Sequence, residues 1–289
     1  MAMQPTASPI AMSEVEFQLL RDLIQARFGL RFDDDTAYLL ERRLMPRIES
    51  LHLRSFLDYH DFITNPALPE PERERELDEI FDRVATRETY FFRESYQLDA
   101  FREELLPLLV KTRPRGRRLS VWSAGCASGE EAYSLAIEII LSGLLGEWDV
   151  GVLGSDLSQA ALQTARGGAY GPSSFRQTEP WRQQRFFKAL TGGRWQVQPE
   201  VRRLCTFTRA NLISTDWASV GGPFDAIFCR NVIMYFDRVM RSALIQRLAS
   251  KLVPGGYLFL GHSESLLDLT TPLQIVRLGS ALVYRKPPA

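Results

Sequence analysis

A strand, a turn of small residues and a helix follow one another over residues 118–140, and this succession constrains the fold most strongly. The strand runs through the apolar stretch from Leu119 to Trp122, and apolar residues at helical spacing follow the turn. The turn from Ala124 to Gly129 contains two glycines and no bulky side chain, so its backbone can approach a ligand closely. This arrangement predicts a Rossmann-like α/β domain in which the first amides of the helix face the ligand.

The turn does not match a triphosphate-binding loop. That pattern requires a Lys-Ser or Lys-Thr pair after the second glycine, whereas Glu130 and Glu131 follow Gly129 here. Two carboxylates would repel a triphosphate, but they suit a ligand that offers hydroxyls and positive charge. S-adenosylmethionine carries a ribose diol, a sulfonium and an ammonium, so we expect it at this turn.

Polar residues end three further predicted strands, at the edge where parallel sheets bind ligands. Asp156 ends the second strand, where an acid accepts hydrogen bonds from ribose hydroxyls in Rossmann-like sheets; alternatively, it caps the next helix. Asn211 ends the third strand, where its amide could contact an adenine edge. Arg230 and Asn231 end the fourth strand, and Tyr235 follows one helical turn later, either in the core or lining the site.

The C-terminal segments complete a predicted seven-stranded sheet. Residues 273–278 and 280–284 form a hairpin, and a terminal antiparallel hairpin distinguishes methyltransferase sheets from dehydrogenase sheets, by fold analogy. The short alternating stretches 194–198 and 201–208 predict a small antiparallel insertion at about residues 190–208. The methyltransferase domain is therefore expected to span residues 118–289.

Residues 13–85 predict helices without a strand pattern, and Ser13 with Glu16 forms a capping box at the first of them. The region 1–85 is acidic overall, with 10 arginines and no lysine against 17 acidic residues, but its second helix is locally basic. The arginines of that helix, Arg43 and Arg47 among them, form either a solvated face or a docking surface for an acidic helical partner.

The remaining segments are a predicted flexible tail at residues 1–12 and a linker with a helix at residues 86–117. Within the linker, Thr89 and Arg93 are four residues apart and could point into one cleft, while the aromatic residues between them are typical of a buried hinge.

Composition excludes several classes of protein. Acidic and basic residues number 35 each, which gives no net field for nucleic acid or a membrane surface. No apolar run reaches the roughly 20 residues of a membrane helix, and the first residues do not resemble a signal peptide. Three cysteines without metal-ligand spacing predict free thiols in a reducing cytoplasm and no metal site.

Four motifs together resemble the CheR family of chemotaxis receptor methyltransferases, over nearly the whole chain. They are residues 224–232 with 235–237, residues 121–124 with 128–131, residues 89–93, and residues 261–264. The resemblance implies a class I S-adenosylmethionine-dependent methyltransferase preceded by an all-α domain. It implies methyl transfer to glutamate side chains of chemoreceptors, which gives glutamyl methyl esters.

The resemblance also implies roles for individual residues. Cofactor contacts are implied for Thr89, Arg93, Glu130, Asp156, Asn211, Leu212, Arg230 and Asn231. Arg43 and Arg47 resemble the receptor-docking face, and the predicted insertion resembles a subdomain with which some members hold a receptor's C-terminal tail peptide. The family often has Asn where Arg87 stands here, so a side-chain contact from this position is not implied.

A solvated glutamate is already an anion at neutral pH, so the expected reaction requires no general base. Arg93 and Tyr235 are the residues that we expect to line the acceptor carboxylate and act in catalysis. A methyltransferase for nucleic acid or small molecules and a non-catalytic adaptor are the alternative functions. We expect a cytoplasmic monomer that is recruited to receptor arrays without membrane insertion.

Overall fold

The computed structural model describes residues 10–112, 118–143, 146 and 148–288, and the chain divides into two compact units after Thr86. The predicted tail at residues 1–12 therefore lies mostly outside the described residues. Across the described ranges, no helix is both long and apolar enough to cross a membrane.

The first unit is built from helices. They are α1 (Glu14–Phe28), α2 (Ala37–Ser50), α3 (Phe56–Thr64) and α4 (Glu70–Val84). The predicted capping box at the start of α1 is confirmed, since the amide of Ser13 lies 2.7 Å from the carboxylate of Glu16. Apolar residues of all four helices are buried in one core, including Leu20, Ile24, Leu44, Ile48, Phe56, Ile63, Leu77 and Ile80.

The second unit contains the strands. They are β1 (Leu119–Ala124), β2 (Val150–Asp156), β3 (Ala169–Tyr170), β4 (Phe187–Ala189), β5 (Trp195–Val197), β6 (Cys205–Arg209), β7 (Phe224–Cys229), β8 (Leu252–Leu260), β9 (Gln274–Leu278) and β10 (Ala281–Arg285). Its helices are α5 (Ser95–Ala100), α6 (Leu106–Thr112), α7 (Glu130–Leu141), α8 (Gln159–Gly167), α9 (Pro180–Phe186), α10 (Pro199–Arg202) and α11 (Arg238–Lys251).

Seven of these strands form one sheet in the order β6-β2-β1-β7-β8-β10-β9. The strands from β6 to β8 pair in parallel, whereas β10 pairs antiparallel with both β8 and β9. This is the class I methyltransferase sheet with its terminal hairpin, so the predicted fold class is confirmed. Both faces are covered: Val121 packs into one apolar cluster and its neighbour Trp122 into the other.

The small antiparallel sheet exists, but the predicted bounds of about 190–208 were wrong. It has the order β3-β5-β4 and draws its strands from residues 169–197. Residues 199–202 form helix α10, and residues 205–209 are strand β6, which pairs with β2 of the large sheet. Alternation of side chains shows that a segment is extended but does not identify the sheet it joins.

The strand order places a crevice at one edge of the large sheet. The chain proceeds from β1 outward to β2 and β6, then returns to the other side of β1 at β7. The connections therefore diverge between β1 and β7, and ligands of open α/β sheets bind beyond the carboxyl ends of the strands at such a point.

Candidate functional site

The turn after β1 lies against the segment after β7. Gly125 and Gly129 have φ angles of +79° and +95°, which favour glycine. A methyl group on Gly125 would lie 2.7 Å from Cγ2 of Val232, and one on Gly129 would lie 2.7 Å from Cβ of Ala165. Backbone conformation and close contacts therefore both require glycine at these two positions. The contact of Gly125 with Val232 brings the turn after β1 against the segment after β7.

Asp156 connects the end of β2 to this turn. Its Oδ2 atom accepts a 2.8 Å hydrogen bond from the amide of Ala127, and its Oδ1 atom accepts a 2.9 Å bond from the amide of Ser158. Burial raises the pKa of Asp156, while these amides and the charge of Arg87 oppose that rise. The cap of α8 is Ser158, whose Oγ atom accepts from the amide of Ala161 at 3.0 Å.

Arg230 directly follows β7 at the carboxyl ends of the parallel strands, with only 2% of its side chain exposed. Its Nη2 atom lies 2.5 Å from the backbone oxygen of Arg93 and 3.3 Å from Oε2 of Glu94. Its Nη1 atom lies 3.5 Å from Oε2 of Glu131. The Nε atom is buried and has no hydrogen-bond partner among the described residues. One guanidinium thus joins the end of β7, the start of α7 and the segment before α5.

The two glutamates after the glycine turn have different surroundings. Glu130 accepts hydrogen bonds from Ser128 at 2.7 Å and Ser174 at 2.9 Å. Glu131 accepts a 2.7 Å bond from Ser123 and pairs with Arg230. Burial raises the pKa of both carboxyl groups, and for Glu131 the Arg230 charge opposes this rise. The sequence pattern named both carboxylates as suited to the ligand, but an individual cofactor contact was predicted only for Glu130.

Glu94 was also missed, and it links Arg230 to the end of β8. Its carboxylate lies 3.0 Å from Nδ1 of His262 and accepts from Nδ2 of Asn231 at 3.4 Å. Burial alone would raise the pKa of Glu94, but the Arg230 charge and these hydrogen bonds lower it. Glu264 accepts from the amide of Asn231 at 2.7 Å, which holds the residue after β7 in place.

Backbone conformation marks the same region. Among the described residues, the non-glycine residues with positive φ are His52, Phe92, Glu94, Ala127 and Asn231. All except His52 belong to segments that border the crevice. Such conformations persist only where the surrounding structure enforces them, and they concentrate at functional sites.

Other predicted site residues lie in the segments before α5 and after β7. Arg93 is half-buried, donates to the backbone oxygen of Glu88 at 2.8 Å, and its guanidinium lies 5.8 Å from the ring centre of Tyr90. Thr89 is half-buried in the same segment. Tyr235 is half-buried in the short 3-10 turn Ile233–Tyr235.

Residues after β6 complete the row of strand ends. The amide of Ala210 donates to the backbone oxygen of Asp156 at 3.0 Å, so the next residue, Asn211, lies beside the end of β2. Oδ1 of Asn211 accepts from the amide of Ile213 at 3.1 Å, and Leu212 is buried.

Arg43 and Arg47 belong to the first unit, and both are bonded within it. Arg43 donates to the backbone oxygen of Val84 and, at 3.3 Å, to Oγ1 of Thr86. Arg47 is paired with Glu76 at 2.6 Å. Arg42 of the same helix is exposed, which makes it the more accessible arginine for a partner.

Comparisons with known proteins identify the family. The model of the "CheR methyltransferase, SAM binding domain" matches residues 87–281, and that of the "CheR methyltransferase, all-alpha domain" matches residues 15–84. The chain belongs to the CheR methyltransferase family. It is therefore an S-adenosylmethionine-dependent methyltransferase, as its sequence resemblance implies.

Curated relatives of this CheR family member align over nearly the full chain. "Chemotaxis protein methyltransferase 2" of Vibrio cholerae serotype O1 is 32% identical and aligns over 96% of this chain and 95% of its own length. "Chemotaxis protein methyltransferase 1" of Pseudomonas aeruginosa is 34% identical, with 94% and 98% covered. "Chemotaxis protein methyltransferase" of Vibrio parahaemolyticus is also 34% identical, with 96% and 98% covered.

The site residues of this CheR methyltransferase fit S-adenosylmethionine. The turn after β1 carries no bulky side chain. The carboxylate of Asp156 retains acceptor capacity for a diol because each oxygen has several lone-pair positions. The buried, unpartnered Nε atom of Arg230 can donate to a polar atom of a ligand. Within the described ranges, no group of three or more His, Cys, Asp or Glu residues is arranged to hold a metal ion.

Proposed function

We propose that this chain transfers the methyl group of S-adenosylmethionine to glutamate side chains of chemoreceptors and forms glutamyl methyl esters. The observation that carries the proposal is the match to both parts of the CheR family, over residues 15–84 and 87–281. Relatives that align over nearly their whole length are named chemotaxis protein methyltransferases.

The proposed cofactor contacts follow from the row of strand ends. Asp156 accepts the ribose hydroxyls, and Asn211 with Leu212 contacts the adenine. We assign Thr89, Arg93, Glu130, Arg230 and Asn231 to the remaining cofactor contacts. To these we add Glu131, because its carboxylate faces Arg230 whereas that of Glu130 is bonded to two serine hydroxyls.

S-adenosylmethionine supplies an activated methyl group on a sulfonium. An acceptor glutamate with an ordinary pKa near 4.3 arrives as a carboxylate, so no residue has to remove a proton. The protein has to align the carboxylate and exclude water. We propose that Arg93 orients the acceptor and that Tyr235 donates to it or packs beside it.

The environment of Arg93 suits this role. The described hydrogen bond of the Arg93 guanidinium is donated to the neutral backbone carbonyl of Glu88 and not to a carboxylate. A loosely held cation can guide the acceptor without the strong ground-state binding that would slow transfer.

The basic face of α2 is our candidate surface for receptor docking. We propose that this face meets an acidic receptor helix, with Arg42 as an exposed contact and Arg43 and Arg47 behind it. We further propose that the enzyme is a cytoplasmic monomer recruited to receptor arrays, and that the small sheet β3-β5-β4 is the candidate surface for a receptor tail peptide.

The test is incubation of the full chain with radiolabelled S-adenosylmethionine and a receptor cytoplasmic fragment. We expect base-labile label on glutamate residues, located by mass spectrometry. Label on added nucleic acid or small molecules instead would support the alternative methyltransferase. Tight cofactor binding without any transfer to the receptor fragment would support the adaptor.

A further inference from the structure

Arg87 lies beside the carboxylate that we assign to the ribose. Its Nη1 atom donates a 2.7 Å hydrogen bond to Oγ of Ser158. The amide of Ser158 in turn donates a 2.9 Å hydrogen bond to Oδ1 of Asp156. The side chain of one residue at the start of the second unit is therefore connected to Asp156 through a single serine.

Ser158 is well suited to transmit this contact because it is almost completely buried, with 2% of its surface exposed. Its Oγ atom also accepts the amide of Ala161 as the cap of α8. Arg87 thus holds the side chain of Ser158. Ser158 in turn caps α8 and donates to one oxygen of the Asp156 carboxylate.

Among the described residues, the segments that adjoin Asp156 carry the titratable groups of Arg87, Arg209 and Cys126. The backbone of Arg209 is in register with Asp156 on β6, and its Nε atom donates to the backbone oxygen of Leu157 at 3.2 Å. The thiol of Cys126 is in the turn after β1, and its pKa is raised by burial and by Asp156 itself, so it stays neutral. Burial raises the pKa of Asp156, and among charged side chains Arg87 opposes that rise.

We propose that Arg87 is a positioning residue for the adenosine part of S-adenosylmethionine. It acts through Ser158 and through its charge, holding the Asp156 carboxylate in place for the ribose diol. The inference rests on the assigned ribose role of Asp156 but requires no receptor, so it stands or falls separately from glutamate transfer. The resemblance to the family implied no cofactor contact at this position, because Arg87 stands where the family often has asparagine. We propose instead that Arg87 acts through neighbouring residues.

The physical consequence is a pH-dependent affinity. Without the Arg87 charge the pKa of Asp156 rises further, so a larger fraction of the carboxyl group is protonated as the pH falls. A protonated carboxyl group is a poorer acceptor for two hydroxyls than a carboxylate. The affinity lost on removing Arg87 must therefore grow toward acidic pH and shrink toward alkaline pH.

The experiment is isothermal titration calorimetry of the full chain with S-adenosylhomocysteine, between about pH 6 and about pH 8.5. The variants are Arg87→Gln, Arg87→Lys and Asp156→Asn. The control is Arg118→Gln, since Arg118 is 67% exposed at the start of β1, at the opposite edge of the sheet. Melting temperatures verify that each variant is folded.

We expect Arg87→Gln to weaken binding about tenfold at neutral pH, with a larger loss at the acidic end. Arg87→Lys retains the charge and should keep the wild-type pH profile, and Arg118→Gln should bind like the wild type. Equal affinities and equal pH profiles for Arg87→Gln and the wild type would overturn the inference. Normal binding by Asp156→Asn would instead remove the ribose assignment on which it rests.

Discussion

Arg47 and Glu76 form a bidentate ion pair, with Nε of Arg47 2.9 Å from Oε1 of Glu76 and Nη2 2.6 Å from Oε2. Glu76 is 5% exposed and also accepts from the hydroxyl of Tyr59 at 2.5 Å. Burial would raise the pKa of Glu76, but Arg47 and Tyr59 lower it. An arginine that sequence reasoning assigned to receptor docking therefore also stabilises the first unit.

Arg47→Gln should lower the free energy of unfolding by about 3 kcal/mol, because it leaves the buried Glu76 carboxylate without its positively charged partner. The matched change on the same helix is Arg42→Gln, at an exposed side chain. It should change stability by less than about 0.5 kcal/mol but raise KM for the receptor fragment. Urea unfolding and methylation kinetics measure the two effects, and equal stabilities for the two variants would contradict the structural role of Arg47.

Asp156 offers a second test, in which two substitutions separate binding from stability. Asp156→Ala leaves the buried amides of Ala127 and Ser158 without their acceptor, at about 1–3 kcal/mol of stability for each. Asp156→Asn retains one acceptor oxygen and should be the more stable variant. Both should bind S-adenosylhomocysteine about 10- to 100-fold more weakly, as calorimetry would show. Full affinity in the asparagine variant would exclude a carboxylate–ribose contact.

The glycine turn is tested by a pair with nearly equal backbone strain. Gly125 and Gly143 have φ angles of +79° and +78°, but a methyl group on Gly143 meets nothing within 4 Å. Both alanine variants should lose about 1–2 kcal/mol of stability from the left-handed conformation. Only Gly125→Ala, which collides with Val232, should also lose cofactor affinity, by about tenfold or more. Similar affinities in the two variants would show that the contact with Val232 does not shape the site.

The pH dependence of stability follows from Glu94. Its folded-state pKa is lowered, so its ionised form stabilises the protein above the unfolded-state pKa of about 4.3. That contribution is lost as the pH falls through the folded-state value. Glu94→Gln should therefore be less stable than the wild type by about 1–3 kcal/mol near neutral pH. The difference should shrink below about pH 4, as measured by urea unfolding across the pH series.

Tyr235→Phe tests the acceptor side of the site. Loss of one hydroxyl from a half-buried residue should leave cofactor affinity and melting temperature close to those of the wild type. If the hydroxyl contacts the reacting carboxylate, kcat should fall about tenfold or more. Binding calorimetry and single-turnover methylation separate these effects. An unchanged kcat would remove Tyr235 from the proposed catalytic residues and leave Arg93 alone there.

Much of the fold was accessible from local sequence patterns. The apolar strand before the glycine turn and the terminal hairpin are observed as predicted. Polar residues also stand at or just after the ends of β2, β6 and β7. Each depends on side-chain periodicity or turn chemistry within a few residues. The small sheet was harder, because its central strand at 195–197 pairs with both 169–170 and 187–189, and short alternating segments do not encode their pairing partners.

The sequence by itself thus determined the strands of the large sheet, the polar residues at their ends and the family, because these depend on local spacing and on motifs. Only the tertiary structure decided which charges meet. Arg230 contacts the segment of Arg93, which is 137 residues away, and pairs with Glu94, which was not predicted, and with Glu131. Arg47 is paired with Glu76 across two helices. A sequence pattern does not distinguish one arginine or glutamate from another as an ion-pair partner. The packing of the folded chain decides which of them meet.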